Sequence, residues 1–230
     1  MRKFLRKTAA SVLKRYHILV HGGYSVGTAY GGRFLFDWRH SLDKKVAVEL
    51  YEHEMIRHFR SMLDKLAPDI FLDIGAHAAL YSVISKSQNP SIEVHAFEPD
   101  RTNLCQLYAN LFVNKFQTSI TVHEHGISDK NGTASFNNSD ATSSRGTRRI
   151  ANDGNTEIEI RRLDDTLDFS KNTIMIKIDV EGHELQVIEG AKSLLGNNNC
   201  YLQIEASPEN LELLKSELDS LGYRFLQTIG

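Results

Sequence analysis

Between residues 69 and 226 short apolar runs alternate with longer segments of helical period, and nothing else in the chain constrains its fold as strongly. The runs 69–74 (DIFLDI), 92–97 (IEVHAF), 119–123 (SITVH), 173–178 (TIMIKI) and 201–205 (YLQIE) read as strands, with further strands at 133–136, 157–162 and 223–226. Between them, residues 77–86, 101–114, 183–195 and 209–221 read as helices. Such alternation predicts an α/β protein: a doubly wound, mostly parallel sheet with helices on both faces. Ahead of it, Val48, Tyr51, Met55, Phe59 and Met62 stand at helical spacing, which predicts one helix over 44–65 that Pro68 closes. The polar stretch 137–155, rich in Ser, Asn, Gly and Arg, reads as a long mobile loop.

The first 36 residues differ in kind: they carry seven Lys or Arg and no acid, while the whole chain has 27 basic and 29 acidic side chains. A body left that acidic is a poor nucleic-acid binder, since phosphate neutralisation needs clustered cations. Phe4, Leu5, Thr8, Val12 and Tyr16 recur at helical spacing among those cations. Residues 2–16 then read either as a helix making peripheral contact with anionic lipid, or a targeting segment, or as a helix covering the body's edge with solvated cations. The short apolar stripe favours the last. A Gly-rich loop or pair of turns over 21–32 and a short strand over 33–38 complete a helical and hairpin extension, 1–43, ahead of the main domain, 44–230. With 41% hydrophobic residues, no apolar run long enough to span a membrane and only two cysteines, the chain reads as globular and cytoplasmic, without a disulfide framework or a cysteine zinc site.

Ligands of open α/β sheets sit outside the carboxyl ends of the strands. After the first strand, Asp73-Ile74-Gly75-Ala76-His77 offers a carboxylate and a small-residue turn that lets backbone approach a ligand. His77 and Leu80 stand where a dinucleotide fingerprint needs glycine, which disfavours a nicotinamide oxidoreductase. The second strand ends in Glu98-Pro99-Asp100. Glu98 can accept two hydrogen bonds from a ribose diol, or the segment can simply start a helix. As a carboxylate facing a wet cleft, Glu98 is expected to have no buried partner. At the third strand end, Lys177, Asp179, Glu181 and His183 crowd together, and Asp179, Glu181 and His183 could face one pocket and deprotonate a hydroxyl or hold a cation. Asp179, Glu181 and Glu205 would suit magnesium, but catalysis without a strict need for a divalent metal is expected. His53 and His58 are five apart and share no helix face, and His123 and His125 lack an obvious third ligand.

Together FLDIGAHAALYS, HAFEPDRTNLCQLYANL, GISDKNGTASF and especially IKIDVEGHELQVIEGA resemble the FkbM-type methyltransferase family, from about Tyr51 to Glu205. That resemblance implies a class I methyltransferase (Rossmann-like) fold with a seven-stranded sheet, S-adenosylmethionine as cofactor with S-adenosylhomocysteine as product, and a hydroxyl acceptor on a sugar, glycolipid or natural product. It implies that Asp73, Gly75, Ala76 and neighbouring His77 hold the methionine part, and that Glu98 binds the ribose hydroxyls with Pro99 behind it. Ser128 and Asp129 would approach the adenine, and Asp179 and Glu181 would lie beside the methyl. Family members usually carry Asn at the place of His77 and Gly at that of Ala79. These departures keep open a non-catalytic nucleoside-binding module.

Overall fold

A computed structural model describes residues 2–137, 149–150 and 154–229. The chain opens with α1 (Arg2–His21), the hairpin strands β1 (Tyr24–Ala29) and β2 (Gly32–Asp37), then α2 (Ser41–Ala47) and α3 (His53–Leu66). Next come β3 (Ile70–Ile74), α4 (Leu80–Gln88), β4 (Glu93–Phe97), α5 (Arg101–Asn114) and β5 (Ile120–His123). A short-strand region follows: β6 (Gly126–Ile127), β7 (Gly132–Asn137), β8 (Arg149–Ile150) and β9 (Thr156–Arg161), closed by α6 (Leu163–Thr166). The chain finishes with β10 (Thr173–Ile178), α7 (Glu184–Glu189), α8 (Lys192–Asn197), β11 (Asn199–Ile204) and α9 (Pro208–Ser220).

Five strands form the central sheet in the order β11-β10-β3-β4-β5, every pair parallel. Strand β3 shows why it forms. Ile70, Leu72 and Ile74 enter the core on one face, while Phe71 enters the core on the other. The chain advances from β3 through β4 to β5, then returns to place β10 on the opposite side of β3. The crevice of such a sheet opens at that reversal, between the carboxyl ends of β3 and β10.

The predicted α/β architecture is therefore present, with several differences of detail. The predicted 44–65 helix is two helices, because Glu49 and Glu52 adopt left-handed backbone (φ 52° and 40°) and turn the chain between α2 and α3. The predicted 183–195 helix is also divided, at Gly190, where a Cβ would come within 1.9 Å of the Ser128 carbonyl oxygen. Helix α4 starts at Leu80 rather than 77, after a turn in which His77 and Ala79 have positive φ. The Gly-rich stretch holds a strand, β1, paired with β2. The strands predicted at 133–136 and 157–162 leave the parallel sheet for a second one, β6-β9-β7-β8, in which β7 pairs antiparallel with both neighbours. The predicted strand 223–226 has no sheet partner among the described residues, and the central sheet has five described strands rather than seven. Most of the 137–155 loop lies outside the described residues, although Arg149–Ile150 pairs with β7.

The hairpin packs into the main core. Phe34, Phe36 and Trp38 share one buried cluster with Phe59, Phe71, Val83 and Met175. Residues of the extension thus reach the crevice.

Candidate functional site

Gly75, at φ +83°, is where β3 gives way to the crevice. A Cβ there would fall 1.9 Å from the Asp179 carbonyl oxygen, so only glycine lets the β3 and β10 ends lie together. Gly75 and Ala76 both donate their N–H to the Phe97 carbonyl, which anchors the turn to β4. Asp73 is buried, and its Oδ2 accepts from the N–H and hydroxyl of Ser82 at 3.0 and 2.6 Å, tying β3 to α4. Burial pushes its carboxyl up to about 6, against the Ser82 hydrogen bonds.

Glu98 does not stand in open water. Only 4% exposed, it accepts the backbone N–H groups of His77 and Asp100, each at 2.8 Å. Burial drives its carboxyl up to about 7, although the two N–H groups and Asn103 pull the other way. The expectation that it has no buried partner fails, because the turn bends the His77 amide onto it. Asp100, not Glu98, caps α5, accepting from the N–H of Thr102 and Asn103. Helix start and crevice carboxylate are thus separate residues. Asn103 lines the same wall, and its buried Oδ1 has no hydrogen-bond partner among the described residues.

At the other end of the crevice Lys177 is the centre. It is 2% exposed, with Nζ 3.0 Å from Asp179 Oδ2, 3.8 Å from Glu205 Oε2 and 4.8 Å from the Tyr81 ring centroid. Burial disfavours its charge, yet Asp179, Glu52 and Glu205 together hold its pKa above the ordinary value. Tyr81 donates its hydroxyl to Glu52 at 2.6 Å. Glu52, Asp179 and Glu205 each place a carboxylate oxygen within 4.8 Å of the other two. Glu52 thus takes the place expected for Glu181 in that trio. Burial, with Asp179 nearby, pushes Glu205 up to about 7. Tyr51 and Tyr81 are held well above the usual phenol range by burial and by Glu52.

One crevice joins the two ends. Of the residues singled out from sequence, Asp73, Gly75, Ala76, His77, Glu98, Pro99, Asp179, Glu181 and His183 all line it. Ser128 and Asp129 do not. Ser128 is 1% exposed; its hydroxyl donates to Asp129 and meets His183 Nε2 at 2.9 Å, so this pair stands behind His183. Burial lowers the pKa of His183. Sequence reasoning missed Glu52, Tyr51, Tyr81 and Asn103. It also missed an apolar wall of Phe34, Phe36 and Val46, faced by Phe136, Ile150 and Ile158 of the second sheet. Their only signal was membership of an apolar pattern that suits any core.

A five-stranded parallel sheet whose crevice pairs a glycine turn with an acid at the next strand end defines a Rossmann-like α/β fold. The Methyltransferase FkbM domain matches residues 73–225, and the chain belongs to that family. It is 26% identical over 154 residues to the hexuronic acid methyltransferase AglP of Haloferax volcanii, an alignment spanning 65% of this chain and 62% of that protein. Among solved structures, a methyltransferase FkbM from Methylobacillus flagellatus KT is similar at 22% identity and a TM-score of 0.49, covering 77% of this chain and 48% of the other. A precorrin-6y C5,15-methyltransferase from Geobacter metallireducens GS-15 is similar at 16% identity and a TM-score of 0.44, covering 73% and 71%. The chain thus spans less than two thirds of the curated relative it matches.

Proposed function

We propose that this chain transfers a methyl group from S-adenosylmethionine to a hydroxyl oxygen of a sugar, glycolipid or natural product. The observation that carries the reading is that Glu98, Asp179 and Glu205 line one crevice, with Glu52 within 4.8 Å of the last two. The residues fit the cofactor. Glu98 uses one lone pair on each oxygen for backbone N–H, which leaves acceptor capacity for a ribose diol. The unpartnered Oδ1 of Asn103 lies on the same wall, and the acidic end suits a ligand carrying ammonium and sulfonium charge. When bound, S-adenosylmethionine supplies an electrophilic methyl carbon.

The remaining work belongs to the chain. Glu98 fixes the ribose, the Gly75–Ala76 turn lets backbone approach the methionine part, and the apolar wall excludes water. A carboxylate takes the acceptor's hydroxyl proton. Glu205 suits that task, since its pKa of about 7 matches a base working near neutral pH. Lys177 holds Asp179 beside it. The hexuronic acid methyltransferase relative makes a uronic-acid glycan the first acceptor to try, next to a neutral hexose.

Calorimetry with S-adenosylmethionine and S-adenosylhomocysteine tests the cofactor assignment, and absence of binding at millimolar concentration overturns it. Turnover of either glycan, rising with pH through about 7 and lost in Asp179→Asn, is the expected catalytic result. The non-catalytic reading draws on His77 and Ala79, held at φ 50° and 60° in the cofactor turn. Cofactor binding without turnover of any acceptor tried favours it.

A further inference from the structure

Helix α1 is docked on the body by its polar side. Arg6 donates to the Glu49 carbonyl at 3.0 Å, and the His17 ring stacks on Trp38 with centroids 5.0 Å apart. Ala10 and Lys14 follow the same inward line and are half-buried. The opposite side carries Val12, Tyr16, Leu19 and Val20, spaced as one helical stripe and 63, 52, 85 and 57% exposed. A surface helix normally turns its apolar stripe to the core. This one turns it outward.

Charge says what would cover the stripe. Residues 1–36 hold seven Lys or Arg and no carboxylate. Arg15, exposed, stands one turn from Leu19, and Lys14 lies beside Lys44 of α2. A second copy of the chain would cover the apolar stripe while bringing a second set of these cations against the first. An anionic bilayer covers the stripe and neutralises the cations together. We propose that α1 lies on an anionic lipid surface, with Val12, Tyr16, Leu19 and Val20 in the headgroup boundary and exposed Arg15 on lipid phosphate. The contact is peripheral: no helix among the described residues is long and apolar enough to cross a membrane. It does not depend on the chemistry in the crevice.

Flotation of the full chain with vesicles tests this. The chain should float with phosphatidylcholine vesicles containing about 30 mol% phosphatidylserine and not with phosphatidylcholine alone, because each cation near an anionic surface raises partitioning about fivefold. Raising salt to about 0.5 M should release it. Leu19→Asp with Val20→Asp should weaken partitioning at least about tenfold with an unchanged melting temperature, since both side chains are largely exposed. Arg15→Glu should also weaken it. No flotation, equal flotation with both vesicles, or a double variant that floats like the parent overturns the proposal. So does a concentration-dependent dimer in sedimentation velocity that the double variant abolishes, in a chain that ignores vesicles.

Discussion

Glu98 combines two jobs that its position in the sequence kept apart. Its carboxylate lines the crevice and also accepts the N–H groups of His77 and Asp100 from within the protein. Glu98→Gln keeps the size but turns an NH₂ toward one of those N–H donors. A buried donor left facing another costs about 1–3 kcal/mol. Thermal stability and affinity for S-adenosylmethionine should therefore fall together, affinity by at least about tenfold, since 1.4 kcal/mol is a factor of ten. Melting temperature and a calorimetric dissociation constant on this variant check both. A stable protein with unchanged affinity removes the ribose assignment. That an acid stands at the end of the second core strand was legible in the chain. That it is clamped was not, because the clamp needs His77 at φ 50°, a left-handed conformation uncommon outside glycine that spacing does not reveal.

At the scale of elements, the β4–β5 edge carries a histidine cluster that sequence spacing does not disclose. Spacing alone offers His123 and His125 no obvious third metal ligand. The sheet supplies neighbours: His95 Nδ1 meets His123 Nε2 at 2.9 Å, His95 Nε2 meets Glu93 at 2.8 Å, and His123 stacks on Phe97 at 4.3 Å. Burial, with His95 and His125 adding to it, lowers His123 to about 4. A histidine whose folded pKa lies below its unfolded value near 6.5 binds its proton more readily when unfolded. Stability is then intact above about 6.5 and is lost as pH falls toward about 4. His123→Phe should keep the stacking on Phe97 and flatten this acid limb in thermal melts across that window, at the cost of one hydrogen bond to His95 at neutral pH. An acid limb of unchanged slope shows that another group governs it. The break between α2 and α3 is a second case. Apolar spacing continues through it, yet left-handed backbone at Glu49 and Glu52 turns the chain and brings Glu52 beside Asp179 and Glu205.

On the scale of the whole molecule, Lys177 is the point where separate parts meet: its own strand β10, Glu205 just past β11, Tyr81 of α4 and, through Tyr81, Glu52 at the start of α3. Lys177→Met fills similar space but leaves three neighbouring carboxylates without their cation. Breaking a buried pair costs about 3–5 kcal/mol, and the partial exposure of Asp179 and Glu205 puts this case at the low end. The loss should shrink as pH drops from about 8 to about 6, because Glu205, pushed up to about 7 by burial and by Asp179, then takes up a proton. Denaturant melts at the two pH values check it, and an equal loss at both rejects the charge argument. A buried lysine inside TIMIKI, an acid two residues on and a glycine turn after DIFLDI were plain in the chain, since strand periodicity and turn chemistry are local properties. The five core strands were legible for the same reason. Which strands joined the parallel sheet and which left it for a second one, and which way α1 turned its apolar stripe, were settled only by tertiary packing. So was the arrival of Tyr51 and Phe34 at the crevice, and of Glu52 beside Asp179 and Glu205, from far along the chain. Local sequence sets backbone preference, whereas a site is made by contacts between residues that only the closed core brings within reach.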